Sequence, residues 1–173
     1  MDENRSGVAK SLNPCARTSI LGDAAHLLML ISLWVVFVLI VNPCGEFMVN
    51  DDWAFTKALE NLVTHGSLGS TGWGPGWAPG GPSLIAHLLW ARLFIELFGF
   101  SLTVLRISVL FLGILASLGF WLLLRFSGNS RAVCFVATLT LILNPLFFSQ
   151  CFTFMTDITF LSFAIFSMLF IFI

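Results

Sequence analysis

The chain has 173 residues, of which 58% are apolar and only 10% are charged. Soluble domains carry about 25% charged residues, and a domain of this size could not cover a soluble surface with so few charges. The net charge of −1 and the lack of any Lys/Arg cluster exclude a nucleic-acid-binding surface, because such a surface needs clustered cations that neutralise phosphates.

The first segment, residues 1–24, is polar and predicts a cytoplasmic tail. Residues 25–41 are almost wholly apolar and end at Asn42-Pro43, so they predict a membrane span near the lower length limit. A cleaved signal peptide is the rival interpretation. The preceding tail is long, however, and no small-x-small cleavage site follows the apolar segment.

Residues 43–100 predict an outer loop that contains interfacial helices. Asp51 and Asp52 precede apolar residues at helical spacing, and Gly66 follows them, as in an amphipathic helix with acids at its N-terminus. Residues 69–82 are too rich in Gly and Pro for a helix or a strand, and they predict a loop.

The apolar stretch 83–98 is interrupted by His87, Arg92 and Glu96, which makes it a poor span and a good interfacial helix, expected to lie flat on the outer leaflet. Arg92 and Glu96 are four residues apart and are expected to pair. Further spans are predicted at residues 101–124, 132–148 and 158–173. The predicted fold class is therefore all-α, a polytopic transmembrane helical protein with amphipathic helices beside the membrane. Because the sequence stops inside an apolar stretch, we expect the chain to be an N-terminal part of a longer protein.

Cationic side chains indicate the orientation of a membrane protein, because they concentrate in cytoplasmic loops. One group comprises Arg5, Lys10 and Arg17 in the tail, and the other comprises Arg125 and Arg131. Both groups are cytoplasmic if 25–41 and 101–124 cross the membrane and 83–98 does not. The acids Asp51, Asp52 and Asp157 then all lie on the outer face, where they can share a site.

Five polar residues are candidates for function, and each also has a plainer structural interpretation. Asp51 and Asp52 fit a helix N-cap with a first-turn acid, or a base or metal ligand at the membrane interface. Asp157 begins an apolar helix among Phe and Met side chains, where an acid without a partner is costly. Arg106 either extends its guanidinium to the membrane surface or binds a phosphate with its donor fork. His87 faces either water or a cleft.

Familiar catalytic motifs are otherwise missing from the sequence. It contains no HExxH, Walker or GxGxxG pattern and no Ser-His-Asp arrangement. The four cysteines are scattered without CxxC spacing, which indicates neither a zinc site nor a disulfide framework. Cys134 and Cys151 lie inside apolar stretches and are expected to be buried like small hydrophobic residues.

The order of these features resembles the start of the GT-C-type membrane glycosyltransferases. Their closest group is the protein O-mannosyltransferases and aminoarabinose transferases, which use polyprenyl-phosphate sugars as donors. The first similar segment is the acidic Asn50–Phe55. Two more, Leu97–Ser101 and Leu105–Ser108, lie at the entry into the next predicted span. The last two are Asn144–Phe148 and the second acidic motif, Phe154–Asp157. The family's first acidic pair is usually Asp-Glu, whereas this chain has Asp51-Asp52.

The resemblance implies an inverting enzyme that moves a hexose or pentose from a polyprenyl phosphate to a protein, lipid or glycan acceptor. It makes Asp51 the base beside Asp52, places Asp157 in the same pocket, and assigns substrate binding to Arg106 and His87. It does not fix a cofactor, and a divalent metal held by Asp51 and Asp157 is compatible with it. The implied location is a bacterial plasma membrane, with a cytoplasmic N-terminus and the active site on the outer face. The chain alone, without later helices, is expected to be inactive.

The alternative is a non-enzymatic polytopic membrane protein, either a transporter or an assembly subunit, whose acids cap helices or bind ions. Transporters place polar groups near the middle of the membrane and use broken helices. The predicted spans of this chain carry their charges at their ends. The sequence therefore favours the enzyme.

Overall fold

The computed structural model describes residues 20–49, 51–67 and 85–172, which form seven helices and no strand within those ranges. The all-α class expected from the sequence is confirmed for these residues. Residues 1–19 of the predicted tail, Asn50 and the Gly/Pro-rich loop at 69–82 lie outside them, whereas residues 20–24 of the predicted tail belong to the first helix. The helices are α1 Ile20–Val41, α2 Asp52–His65, α3 Ile85–Phe98, α4 Leu102–Phe126, α5 Arg131–Ile142, α6 Pro145–Cys151 and α7 Thr156–Phe172.

Among the described residues, two helices are long and apolar enough to cross a membrane: Gly22–Val41 within α1, and Leu102–Phe126, which is α4. The helices α5 and α6 meet at a bend of 66° and satisfy the same criteria only as one broken span. The apolar part of α7, Thr156–Ile171, is shorter. The part of the chain that the structure describes is therefore all-helical, with two or three potential spans, and the predicted span 132–148 is not one straight helix.

Asn144 and Pro145 explain the bend between α5 and α6. The Asn144 side-chain oxygen accepts hydrogen bonds from the backbone N–H groups of Leu146 at 3.0 Å and Phe147 at 3.2 Å, which makes Asn144 the N-cap of a new helix. Proline is tolerated in the first turn of a helix, but inside a continuous helix it would remove a hydrogen bond and clash with the preceding turn. The chain therefore ends α5 at Ile142 and starts α6 in another direction.

The central helix is α4, which packs most extensively against α7. A Cβ atom added at Gly113 would lie 2.5 Å from the Cys151 sulfur, and one at Gly119 would lie 2.9 Å from the Phe166 ring. Small residues of this kind let helices approach closely. Gly113 also faces Ile158 near the start of α7. The start of α7 is therefore level with a position on α4 that lies eleven residues after Leu102. At about 1.5 Å per residue, that position is roughly 16 Å along the α4 axis.

The connections between these helices define two opposite ends of α4. Near the start of α1, Asp23 Oδ1 lies 3.4 Å from Arg125 Nε and 2.7 Å from Arg131 Nε. These three residues mark what we call the arginine end. After α1, Glu46 accepts a hydrogen bond from the Leu102 N–H at the start of α4, 3.0 Å away. We call this second end, where α2 also begins, the acidic end. The helices α1 and α4 therefore run antiparallel.

The helix α3 runs back along the first turns of α4. The Trp90 indole N–H donates to the Ser108 carbonyl at 2.9 Å, and the Trp90 ring stacks on Phe111 with 6.2 Å between the ring centres. Phe94 contacts the same Phe111 ring. The sequence predicted that residues 83–98 lie flat on the membrane surface. If α4 crosses the membrane steeply, however, α3 stands beside α4.

Several local expectations are confirmed. Arg92 Nε lies 2.7 Å from Glu96 Oε1, as their spacing predicted. Cys134 and Cys151 are buried free thiols. Gly66 ends α2 in the left-handed conformation, with φ of 68°, which glycine adopts without steric cost.

Candidate functional site

The two carboxylates at the start of α2 have different environments. Asp51 is exposed and occupies the N-cap position, but its side chain makes no capping hydrogen bond. Asp52 is only 1% exposed. Its Oδ1 accepts from the Phe154 N–H at 3.0 Å, and its Oδ2 accepts from the Val49 N–H at 3.3 Å. The predicted N-cap position of Asp51 and first-turn position of Asp52 are confirmed, although Asp51 makes no capping hydrogen bond and Asp52 links α2 to a distant part of the chain.

The contact between Asp52 and Phe154 brings the start of α2 to the segment before α7. Asp157 follows Phe154 by three residues, lies in the first turn of α7 and is exposed. The expected burial of Asp157 among Phe and Met side chains is not found, because Asp157 is exposed while Phe154 and Ile158 turn inward. The two exposed carboxylates, Asp51 and Asp157, thus each follow or precede in the chain one partner of this buried hydrogen bond.

Arg106 is buried and does not extend to the surface. It is 2% exposed, its Nη1 donates to the Gly45 carbonyl at 2.8 Å, and its guanidinium carbon lies 4.2 Å from the centre of the Phe47 ring. Its Nε and Nη2 atoms have no hydrogen-bond partner among the described residues. A buried donor without a partner is costly, so Arg106 has unused capacity to bind an acceptor.

Burial raises the pKa of Asp52 above its ordinary value, and the charge of Asp51 acts in the same direction. The hydrogen bonds from the Val49 and Phe154 N–H groups and the positive charge of Arg106 lower the same pKa. The charged form of Asp52 therefore depends on these three groups for its stabilisation.

His87 is fully buried at the junction of α2, α3 and α7. Its Nδ1 lies 2.8 Å from Thr159 Oγ1, and its ring packs against Phe154 at 4.3 Å and Phe55 at 5.7 Å between ring centres. Burial lowers the pKa of His87 to about 4, so the ring is neutral at pH 7. The expectation that His87 faces water or a cleft is therefore wrong in this structure, and a substrate would contact it only after this packing opens.

Glu46 is a residue of this region that the sequence did not single out. It caps α4 by accepting hydrogen bonds from Ser101 Oγ at 2.6 Å and from the N–H groups of Leu102 at 3.0 Å and Thr103 at 3.4 Å. These bonds lower the pKa of Glu46 to about 2, the one from Ser101 having the largest effect. Glu46 precedes Ser101 by 55 residues, so no local spacing could reveal this contact.

The predicted metal role of Asp51 and Asp157 has no support in this geometry. Within the part of the chain that the structure describes, no group of three or more His, Cys, Asp or Glu side chains is arranged to hold a metal ion. Two carboxylates alone fall short of the roughly six oxygen ligands that Mg²⁺ or Ca²⁺ requires.

Comparisons with protein-family models, curated proteins and solved structures found no match to this chain. Its function must therefore be inferred from the arrangement of its own residues. The acidic end combines exposed Asp51 with buried Asp52 and Arg106, and the hydrogen bond from Phe154 to Asp52 connects it to the segment that precedes the exposed Asp157.

The adjacent acids Asp51 and Asp52 form a matched pair for testing this arrangement. We expect Asp52→Ala to lower the free energy of unfolding by about 2–4 kcal/mol, because it removes two hydrogen bonds and leaves Arg106 buried without its nearby negative charge. Asp51→Ala should change it by less than about 0.5 kcal/mol, as is usual at exposed positions. Denaturant unfolding in lipid nanodiscs measures both. Equal losses in the two variants would contradict the assignment.

Glu46 predicts a pH dependence of stability. A carboxylate with a lowered folded-state pKa stabilises the fold above its ordinary pKa of 4.5, and this contribution is lost as the pH falls towards about 2. At pH 7, Glu46→Gln should therefore lower the thermal unfolding temperature, and the difference from the unsubstituted protein should shrink between pH 4.5 and pH 2. Glu96→Gln, at an exposed position on α3, is the control. A difference that stays constant with pH would refute the capping role.

Proposed function

We propose that the protein is a membrane glycosyltransferase that transfers a sugar from a polyprenyl phosphate to an acceptor hydroxyl. The observation that carries this proposal is the hydrogen bond from the Phe154 N–H to Asp52 Oδ1, 3.0 Å long. This bond connects the start of α2, next to Asp51, to the segment that precedes Asp157 at the start of α7. Two exposed carboxylates that adjoin this buried contact in the chain, within an apolar helical bundle, suit a reaction between a lipid-linked donor and a polar acceptor.

In the proposed reaction, Asp51 accepts the proton of the acceptor hydroxyl as the general base. The hydroxyl oxygen attacks the anomeric carbon and forms the new glycosidic bond. At the same time the bond from that carbon to the phosphate oxygen breaks, and the electron pair leaves with the polyprenyl phosphate. Attack from the face opposite the leaving group inverts the anomeric centre.

The leaving phosphate gains negative charge, which positively charged donors can stabilise. Arg106 suits this role because its Nε and Nη2 have no partner among the described residues. It becomes accessible only if Phe47 and the Gly45 carbonyl move away from the guanidinium. Asp52 then acts as a positioning residue, and Asp157 shapes the opposite side of the pocket.

The proposed orientation follows from the two ends of α4. Arg125 and Arg131 lie at one end, so the positive-inside rule makes that end cytoplasmic. The acidic end then faces outward, where the reacting carbon of a lipid-linked sugar meets the membrane surface. A bacterial plasma membrane fits this orientation, and the acceptor is a protein, a lipid or a glycan.

A second candidate function is transport, and one specific observation favours it. The 66° break between α5 and α6 is the kind of discontinuity that transporters use at their binding sites. Asp23, Arg125, Arg131 and Glu46 lie at the two ends of α4, whereas Asp157 begins α7 roughly 16 Å along α4. We favour the transferase because Asp51 and Asp157 each adjoin, in the chain, a partner of the buried hydrogen bond between Asp52 and Phe154.

The test uses membranes that contain the intact gene product, supplied with radiolabelled polyprenyl-phosphate mannose, glucose or aminoarabinose. We expect Asp51→Asn to reduce transfer by a factor of about 10²–10⁴, the usual contribution of a general base. Asp157→Asn should also reduce transfer. Glu96→Gln serves as the control, because this exposed acid lies on α3 and pairs with Arg92.

Expression and folding of each variant are measured in parallel by size-exclusion chromatography. Full transfer in both Asp51→Asn and Asp157→Asn, at normal expression, would reject the proposed function. Movement of an unmodified solute by the unsubstituted protein, without any sugar transfer, would favour the transporter.

A further inference from the structure

A cavity of about 390 Å³ lies between α2 and the start of α4 at the acidic end. Its volume falls in the range of small-molecule sites, about 300–1,000 Å³. The cavity is distinct from the buried cluster of Asp52 and Arg106, neither of which lines it. The aromatic rings of Trp53 and Phe100 and the polar side chains of Glu46, Thr56, Lys57 and Glu60 belong to its lining.

The two aromatic residues give the cavity exposed apolar surface. Trp53 is 43% exposed and Phe100 is 51% exposed, although both belong to the acidic end, where polar groups are abundant. Aromatic faces carry partial negative charge and attract the weakly positive C–H groups of a ligand. A ligand with a flat array of C–H groups would therefore cover these rings.

The polar side chains offer both hydrogen-bond donors and acceptors. Glu46 has about four lone-pair positions and uses three of them for Ser101, Leu102 and Thr103. Lys57 has three N–H donors, of which one contacts Glu60 Oε2 at 2.6 Å.

The Thr56 hydroxyl donates to the Asp52 carbonyl at 2.7 Å and keeps its acceptor positions. A hydroxyl group both donates and accepts, so it matches this mixed lining better than a cation or an anion does.

We propose that this cavity binds a polyhydroxylated ring, a sugar, whose C–H face covers Trp53 or Phe100 and whose hydroxyl groups bond to Glu46, Lys57 and Thr56. Trp53 follows Asp51 and Asp52 in the first turn of α2, so the cavity adjoins the proposed base. Resting on the proposed transferase, the inference is that the acceptor is a glycan and that its terminal sugar occupies this cavity.

The test measures binding of methyl α-glucopyranoside to the protein in lipid nanodiscs, without glycoside detergents, by saturation-transfer NMR. We expect saturable binding with a Kd of about 1–10 mM, weakened roughly tenfold or more by Trp53→Ala and by Lys57→Met. Leu97→Ala is the control, because this residue is exposed at the same end and does not line the cavity. Circular dichroism establishes that each variant folds.

Choline serves as a cationic probe in the same experiment. Saturable binding of choline without binding of the glycoside would overturn the proposal. So would binding of the glycoside with equal strength in Trp53→Ala, Lys57→Met and Leu97→Ala, or no saturable binding at all.

Two further variants separate this inference from the proposed function. Asp51→Asn should bind the glycoside normally, because Asp51 does not line the cavity. Loss of transfer in Asp51→Asn, together with glycoside binding that Trp53→Ala abolishes, supports both proposals. Normal transfer by Trp53→Ala and Lys57→Met would refute the acceptor cavity and leave the transferase standing.

Discussion

A buried carboxylate is stable only with hydrogen-bond donors or a positive charge beside it, and Asp52 satisfies this constraint by joining distant segments. Its two oxygens accept from the Phe154 and Val49 N–H groups, and Arg106 supplies the nearby positive charge. The segment between α1 and α2, the start of α4 and the segment before α7 therefore meet around one side chain. Because Asp51 directly precedes Asp52, these contacts also fix the position of the exposed Asp51.

The remaining polar contacts at the acidic end fasten the same segments. Glu46 caps α4, and the Gly45 carbonyl accepts from Arg106. His87 connects α3 to α7 through Thr159. The hydrogen bond between His87 and Thr159 is buried, so it is stronger than it would be in water. The hydrogen bonds of Glu46 are exposed, so water competes with them.

The sequence predicted the helical class, the apolar segments and the polar residues because these follow from local composition and period. It could not predict the environments of those residues. Asp51 and Asp52 are chemically equivalent neighbours, and only the fold decides that one is exposed and the other is buried. The caps of Glu46 on α4 and of Asp52 on Phe154 are contacts across 55 or more residues, which leave no local pattern. Asn144-Pro145 did carry a local signal for the break, but the bend angle depends on packing.

The proposed transferase depends on Asp51 and Asp157 lying close together. The most direct measurement is the distance between spin labels at Asp51→Cys and Asp157→Cys, determined by electron paramagnetic resonance in nanodiscs with the native cysteines replaced. A second pair, Asp51→Cys with Ser127→Cys, spans the two ends of α4 and serves as the reference. The structure predicts a clearly shorter distance for the first pair. Equal distances, or a longer distance between positions 51 and 157, would contradict it.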